Sequence, residues 1–175
     1  QADFNYRERG MATMLFTAAV DDRFAAGTIT SRIGLAAAAT MFDRATDIAA
    51  TVLARHATGA IACVLVDEAQ FLTAAQVDQL ARLADTHDIP VLAYGLRTDF
   101  RGALFEGSAR LLALADALIE IKSVCECGRK ATMNLRVDAD GRAVAEGRQT
   151  EIGGNDRYVA LCRRHFTAAL AKAGD

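Results

Sequence analysis

Two adjacent carboxylates, Asp67 and Glu68, directly follow the apolar run 61–66. An apolar run of this length is typical of a strand covered on both faces, as in a parallel sheet. Ligands of open α/β sheets bind at the carboxyl ends of the strands, where this pair lies. One carboxylate could hold Mg²⁺ while its neighbour acts as a general base toward a hydroxyl, as phosphoryl transfer requires. The alternative is a helix N-terminal turn, in which acidic residues only complement the helix dipole.

A second group of residues has the types and spacing of a metal site, namely Cys125-x-Cys127 and Cys162-x-x-His165. Thiolate and imidazole ligands in two close pairs fit a closed, tetrahedral Zn²⁺ site. Such a site would staple a hairpin too small to hold itself, and the metal would contribute directly to folding. The alternative is three unrelated buried thiols and a surface histidine. Cys63, alone in the apolar run, is interpreted as a small core residue.

Three polar loops, 21–23, 97–100 and 152–158, lie between the apolar segments. Arginines there could meet a phosphate group, and aromatic side chains in or near them could flank a flat ligand. Solvated arginines and half-buried aromatic side chains are the alternative, which such short motifs do not exclude. The residues concerned are Arg23, Arg97, Phe71, Phe100 and Tyr158.

The segments that position these residues alternate between strand-like and helix-like patterns. A capping box is predicted at Thr73 and Gln76, at the start of a helix. Strand–helix–strand repetition with short connections predicts an α/β fold around a parallel sheet. The other predicted elements are strands 12–19, 60–66, 91–96 and 117–122, the end of a helix over 1–9, and helices 41–55, capped by Thr40, and 108–117.

The pattern changes near residue 123, which we take as a domain boundary. Domain 1–123 carries the α/β pattern. Domain 124–175 contains the metal motif, a hairpin signal at Asp140-Gly141 and a short C-terminal helix.

Composition narrows the function classes. The 175 residues are 52% hydrophobic and 24% charged, which excludes a disordered chain. A net charge of −2 gives no basic surface for nucleic acid, so a zinc-ribbon nucleic-acid binder is disfavoured. No apolar run approaches the roughly 20 residues of a membrane span. Cysteines that suit a metal better than disulfides favour a reducing, cytoplasmic setting.

Four motifs in this order resemble the type II thymidine kinases, the zinc-containing family related to the P-loop nucleoside kinases. They are VDEAQF (66–71), YGLRTDFRG (94–102), CECGRKA (125–131) and IGGNDRYVALCRRH (152–165). The resemblance covers essentially the whole chain and looks closest to the bacterial members. It implies a P-loop-kinase-like parallel sheet and a small C-terminal zinc-ribbon and lasso domain.

The resemblance implies transfer of the ATP γ-phosphate to the 5′-hydroxyl of thymidine, or of deoxyuridine, in pyrimidine salvage. Glu68 corresponds to the general base and Asp67 to the acid that holds Mg²⁺ through water. Feedback inhibition by dTTP and a homotetramer are implied too. The implied nucleotide-contacting positions are Asp21, Arg23, Asp67, Glu68, Ala69 and Gln70.

For the thymine base, the resemblance implies a pocket closed by a lasso loop whose backbone hydrogen-bonds the base. The implied substrate positions are Phe71, Phe100, Gln149, Thr150, Glu151, Ile152, Gly153 and Tyr158. The implied structural zinc ligands are Cys125, Cys127, Cys162 and His165.

One departure from the family concerns the P-loop, G-x-x-x-x-G-K-[ST], which does not occur in this sequence. Residues 1–10 match the helix that follows the P-loop. We therefore expect that the first strand and phosphate cradle are missing, which leaves turnover by this chain alone open. The loss of an internal strand should expose strand edges and apolar faces. The alternative function is a non-catalytic, zinc-stapled module that binds a nucleoside or a protein.

Overall fold

The chain, described by a computed structural model, divides into two compact units. Unit 1 comprises Gln1–Leu96 and Glu106–Leu114, and unit 2 comprises Arg97–Phe105 and Ala115–Asp175. The domain boundary near residue 123 stays a prediction. The residues that the structure describes are 1–19, 28–30, 36–121, 123–149 and 157–173.

Helices and strands alternate along most of unit 1, whereas unit 2 has short strands and one helix at its end. No helix among the described residues is both long enough and apolar enough to span a membrane. In chain order the elements are α1 (Ala2–Glu8), β1 (Ala12–Ala18), β2 (Thr28–Thr30), β3 (Ala36–Ala38), β4 (Thr40–Phe42), α2 (Ile48–Thr58), β5 (Ile61–Val66), a 3₁₀ turn (Ala69–Phe71), α3 (Ala74–His87), β6 (Val91–Ala93), α4 (Glu106–Leu114), β7 (Ser123–Val124), β8 (Lys130–Ala131), β9 (Met133–Arg136), β10 (Tyr158–Leu161) and α5 (Arg163–Ala173).

Within the described part of unit 1, four strands form a sheet in the order β4-β1-β5-β6, and every neighbouring pair is parallel. Phe16 of β1 pairs with Thr40 on one side and with Val66 on the other. The side chains of Phe16, Val64 and Val66 are completely buried. Burial of β1 and β5 explains their almost continuous apolar sequences, and it confirms the predicted strands and the α/β fold.

The capping box that opens α3 is also confirmed. The Thr73 side chain accepts a hydrogen bond from the Gln76 N–H, and the Gln76 side chain accepts one from the Thr73 N–H. Val77, Leu80 and Leu83 then face the core at helical spacing. Local pattern and tertiary packing therefore agree in this helix.

The predicted start of helix 41–55 is wrong. Thr40–Phe42 forms β4, and α2 begins at Ile48, where the Asp47 side chain accepts a hydrogen bond from Ala50 N–H at 2.9 Å. Phe42 is buried, whereas Met41, which the helical pattern placed inward, is 43% exposed. Pairing with β1 therefore overrides the helical spacing in this segment.

Two strand predictions are wrong. The strand predicted over 91–96 is shorter than expected, and the one predicted over 117–122 does not form in its described residues, 117–121. β6 is short, lies at the sheet edge and leaves Leu92 and Tyr94 partly exposed. Residues 117–121 form no strand, and Ile119 is 90% exposed. A strand requires a neighbour for its backbone N–H and C=O groups, and the apolar pattern of a segment does not supply one.

Unit 2 contains two antiparallel strand pairs in its described part, β7–β8 and β9–β10. The Asp140-Gly141 signal does mark a turn, because Asp138 N–H donates to Arg142 C=O at 2.9 Å and Gly141 has φ +78°. A small core joins the strand pairs to α5 through Leu135, Leu161 and Phe166, among other residues.

Candidate active site and metal centre

The acidic pair lies in a turn formed by Asp67–Phe71, which we call the acidic turn. Backbone hydrogen bonds connect this turn to neighbouring segments of unit 1. Asp67 N–H donates to Phe16 C=O of β1 at 2.9 Å. Ala69 N–H donates to Tyr94 C=O, just beyond β6, at 2.8 Å. The pair therefore lies at the carboxyl end of β5, where ligands of such sheets bind.

Glu68 occupies an unusual backbone conformation within the acidic turn. Its φ and ψ of 54° and 37° are left-handed, a region that non-glycine residues rarely adopt. Such strain costs on the order of 1–3 kcal/mol and is concentrated at active sites and ligand-binding turns. Glu68 N–H donates to Asp67 Oδ1 at 3.0 Å, and this hydrogen bond connects the two acidic residues directly.

The environment of Asp67 suits a cation. Burial raises the pKa of its carboxyl, and the Glu68 N–H offsets this rise only in part. A partly desolvated carboxylate gains from a nearby positive charge, and carboxylate oxygens are preferred ligands of Mg²⁺. The donor chemistry at Asp67 therefore fits the proposed metal.

The rest of the acidic turn is tightly packed. A Cβ atom placed on Gly107 of α4 would lie 2.7 Å from the carbonyl oxygens of Ala69 and Leu72, so only glycine allows this approach. Phe71 is half-buried against the core of unit 1. The turn consequently has little freedom to move as a whole.

The predicted zinc ligands come together in unit 2. The ligand atoms of Cys125, Cys127, Cys162 and His165 all lie within 4.8 Å of one another. Cys125 Sγ is 3.4 Å from His165 Nδ1, and Cys127 Sγ is 3.8 Å from Cys162 Sγ. In a tetrahedral Zn²⁺ site, with Zn–S of about 2.3 Å and Zn–N of about 2.0 Å, a sulfur and a nitrogen ligand lie about 3.5 Å apart and two sulfur ligands lie about 3.8 Å apart. The cluster could therefore hold zinc.

Hydrogen bonds in the cluster favour a thiolate at Cys125. The N–H groups of Cys127 and Cys162 lower its pKa to about 6. All four cysteines of the chain are free thiols, so no disulfide competes for these ligands. The thiolate is the form that binds zinc.

Phe100 of unit 2 lies beneath an arginine that the sequence pattern did not single out. Phe100 is 1% exposed, and the Arg136 guanidinium lies 3.5 Å from its ring centroid. Arg136 Nη2 also donates to Arg148 C=O at 2.7 Å, and Gln149 Nε2 donates to Asp99 Oδ2 at 3.2 Å. Phe100 thus contacts Arg136 through its ring, and Gln149 bonds Asp99, the residue before Phe100. The alternating hairpin sequence gave no signal for Arg136, whose role depends on distant contacts.

Tyr158 begins β10, is half-buried, and pairs with Arg136 of β9. The other predicted site residues lie outside the described residues. They are Asp21, Arg23, Thr150, Glu151, Ile152 and Gly153.

Comparison with known proteins yields consistent matches. A family model described as thymidine kinase matches residues 1–166. A thymidine kinase of Novosphingobium aromaticivorans is 69% identical over 172 residues, which cover 98% of this chain and 90% of that protein. The chain belongs to the thymidine kinase family. It is also 59% identical to a thymidine kinase of Zymomonas mobilis and 57% identical to one of Ruegeria pomeroyi, covering 97% and 99% of this chain and 88% of each relative.

Membership of the thymidine kinase family confirms the resemblance and makes the chain a member of a family of kinases, which are transferases. It does not favour the alternative of a non-catalytic module. The roles of individual residues remain predictions.

Proposed function

We propose that the chain transfers the γ-phosphate of ATP to the 5′-hydroxyl of thymidine, with deoxyuridine as a second acceptor. The observation that carries this proposal is the acidic turn, in which a strained Glu68 and a partly buried Asp67 lie at the end of β5 in a thymidine kinase family member. Phosphoryl transfer depends on positioning, to which a rigid turn contributes, and on neutralisation of the phosphate charge, for which a carboxylate can hold a metal ion.

The two carboxylates take different roles in this proposal. Glu68 accepts the proton of the 5′-hydroxyl, because a carboxylate within hydrogen-bond reach serves as a general base. Asp67 would hold Mg²⁺ with ATP, and the ion, when bound, neutralises phosphate charge. Ala69 and Gln70 belong to the same nucleotide-contacting turn, and Asp21 and Arg23 are assigned to the phosphates by family resemblance.

Recognition of the thymine base is assigned to eight residues that the family resemblance implies. The buried ring of Phe100 and the Asp99–Gln149 hydrogen bond support a stable base-binding region in unit 2. The assignment of the remaining positions depends on family resemblance. The proposed base-contacting residues are Phe71, Phe100, Gln149, Thr150, Glu151, Ile152, Gly153 and Tyr158.

Further features follow from the family assignment. Zn²⁺ bound by the four-residue cluster would be structural, since four protein ligands complete a tetrahedral site. We propose a homotetramer, feedback inhibition by dTTP and a cytoplasmic location, all supported by family resemblance.

The Glu68→Gln variant tests the function. In the intact enzyme, we expect kcat for dTMP formation from thymidine and ATP to fall by about 10²–10⁴-fold, because glutamine cannot accept the proton. KM for thymidine should change little. Glu8→Gln, at an exposed position in α1, is the matched control and should behave as wild type. A Glu68→Gln enzyme with wild-type kcat would contradict the role of Glu68.

A further inference from the structure

Gln70 is the most deeply buried polar side chain of the acidic turn, at 3% exposure. A buried primary amide has to satisfy its polar atoms within the protein, because an unpaired group costs about 1–3 kcal/mol. Its hydrogen bonds therefore identify what the side chain does in the folded state.

Both ends of the Gln70 amide have partners in unit 1. Leu96 N–H donates to Gln70 Oε1 at 3.0 Å. Gln70 Nε2 donates to Glu68 Oε2 at 2.5 Å. The orientation of the amide is fixed by chemistry, since the Leu96 N–H can only donate and therefore faces the oxygen. The NH₂ group is consequently directed at the Glu68 carboxylate.

The space around Gln70 keeps it in this position. A Cβ atom on Gly95 would lie 2.5 Å from Gln70 Oε1 and 3.0 Å from Gln70 N, so the absence of a side chain at Gly95 lets the backbone reach the amide. A Cβ on Gly107 would lie 3.1 Å from the backbone carbonyl oxygen of Gln70. The side-chain amide is thus packed against the segment after β6, and the backbone of Gln70 is packed against the start of α4.

We propose that Gln70 is a positioning residue for Glu68, whose carboxylate it orients toward the substrate hydroxyl and stabilises in its charged form. The proposal rests on the proposed role of Glu68 as general base. It assigns the Gln70 side chain a function through Glu68, in addition to its place in the nucleotide-contacting turn. A charged carboxylate gains more from such a donor than a neutral acceptor does.

The Gln70→Glu variant tests this role in the intact enzyme. It keeps an acceptor for the Leu96 N–H but replaces the donor to Glu68 with a carboxylate oxygen. We expect kcat to fall by about 10–100-fold, while KM for thymidine and KM for ATP stay within about twofold of wild type. Gln70→Met, which removes both hydrogen bonds without adding charge, should lower kcat in the same way if Gln70→Glu folds poorly.

A matched control is Gln79→Glu. Gln79 Oε1 accepts hydrogen bonds from Ile48 and Ala49 N–H at the start of α2, so a carboxylate can replace it there. This variant should retain wild-type kinetics, which shows that the chemical change alone is harmless.

The double variant Glu68→Gln/Gln70→Glu separates a coupled pair from two independent residues. If Gln70 acts through Glu68, the second change should lower kcat by less than about twofold beyond Glu68→Gln alone. The proposal would be overturned if the reduction of kcat in the double variant equalled the product of the reductions in the two single variants. It would also be overturned if Gln70→Glu had a wild-type kcat, or if the only kinetic change in Gln70→Glu were in KM for ATP. Wild-type kcat in Glu68→Gln alone would instead overturn the role of Glu68 as the base.

Discussion

Asp67 and Glu68 are neighbours in sequence, yet the fold gives them different surroundings. Asp67 continues the end of β5 and is partly buried, whereas Glu68 is turned into a left-handed conformation and receives the amide of Gln70. Adjacent carboxylates with distinct environments can take distinct chemical roles, as an enzyme with one metal-binding acid and one base requires.

The raised pKa of Asp67 has a consequence for stability. The folded state binds a proton at Asp67 more tightly than the unfolded state, so stability falls as pH rises through the interval from 3.8 to the raised value. Above that interval, burial of the ionised carboxyl opposes folding.

Asp67→Asn should therefore raise Tm at pH 7 by up to a few degrees, while it lowers kcat because the carboxylate proposed to hold Mg²⁺ through water is lost. The gain in Tm should shrink as pH is lowered toward about 4, measured by thermal unfolding at several pH values. Asp116→Asn, at an exposed position, is the control and should leave Tm at pH 7 unchanged. A lower Tm for Asp67→Asn at every pH would contradict the argument from burial.

At the scale of elements, the strands of the two units depend on different sources of stability. β1 and β5 of unit 1 lie inside a sheet and are backed by a fully buried apolar core. β7 and β8 comprise only two residues each, and they adjoin the cysteine cluster. Isolated hairpins of this size are marginal in water, so we expect metal binding to stabilise them.

Cys162→Ser should remove the metal from a protein that otherwise carries about one zinc per chain. We expect backbone amides of β7–β10 to lose protection from hydrogen exchange, whereas those of β5 stay protected. Metal analysis and hydrogen-exchange mass spectrometry measure the two effects. Cys63→Ala, in the buried strand β5, is the control that should retain zinc. Retention of a full zinc complement by Cys162→Ser would refute the ligand assignment.

At the scale of the whole molecule, the family resemblance predicts a homotetramer. Sedimentation equilibrium should give a mass four times that of one chain. Tm should rise with protein concentration, because association stabilises the folded state by mass action. A monomer at micromolar concentration, with Tm independent of concentration, would contradict this assignment.

Secondary structure was predicted correctly where the stabilising contacts are local in sequence, and wrongly where the element needs a distant segment to pair with. Thr73 and Gln76 cap α3 as their spacing predicts, because both hydrogen bonds close within one turn. Residues 117–121 carry a strand-like apolar pattern but form no strand, since pairing requires a second strand in the right place.

The sequence by itself determined the family, the strand that leads into Asp67 and Glu68, and the four candidate zinc ligands. These features could be predicted because apolar runs and motif spacings are local properties of the sequence. Only the tertiary structure decided the left-handed backbone of Glu68, the partial burial of Asp67, the Gln70 amide between Leu96 and Glu68, and the Arg136 guanidinium over Phe100. The physical reason is that burial, strain and hydrogen-bond partners arise from contacts whose energy depends on how separate segments pack. Local sequence patterns do not specify the contacts between distant segments.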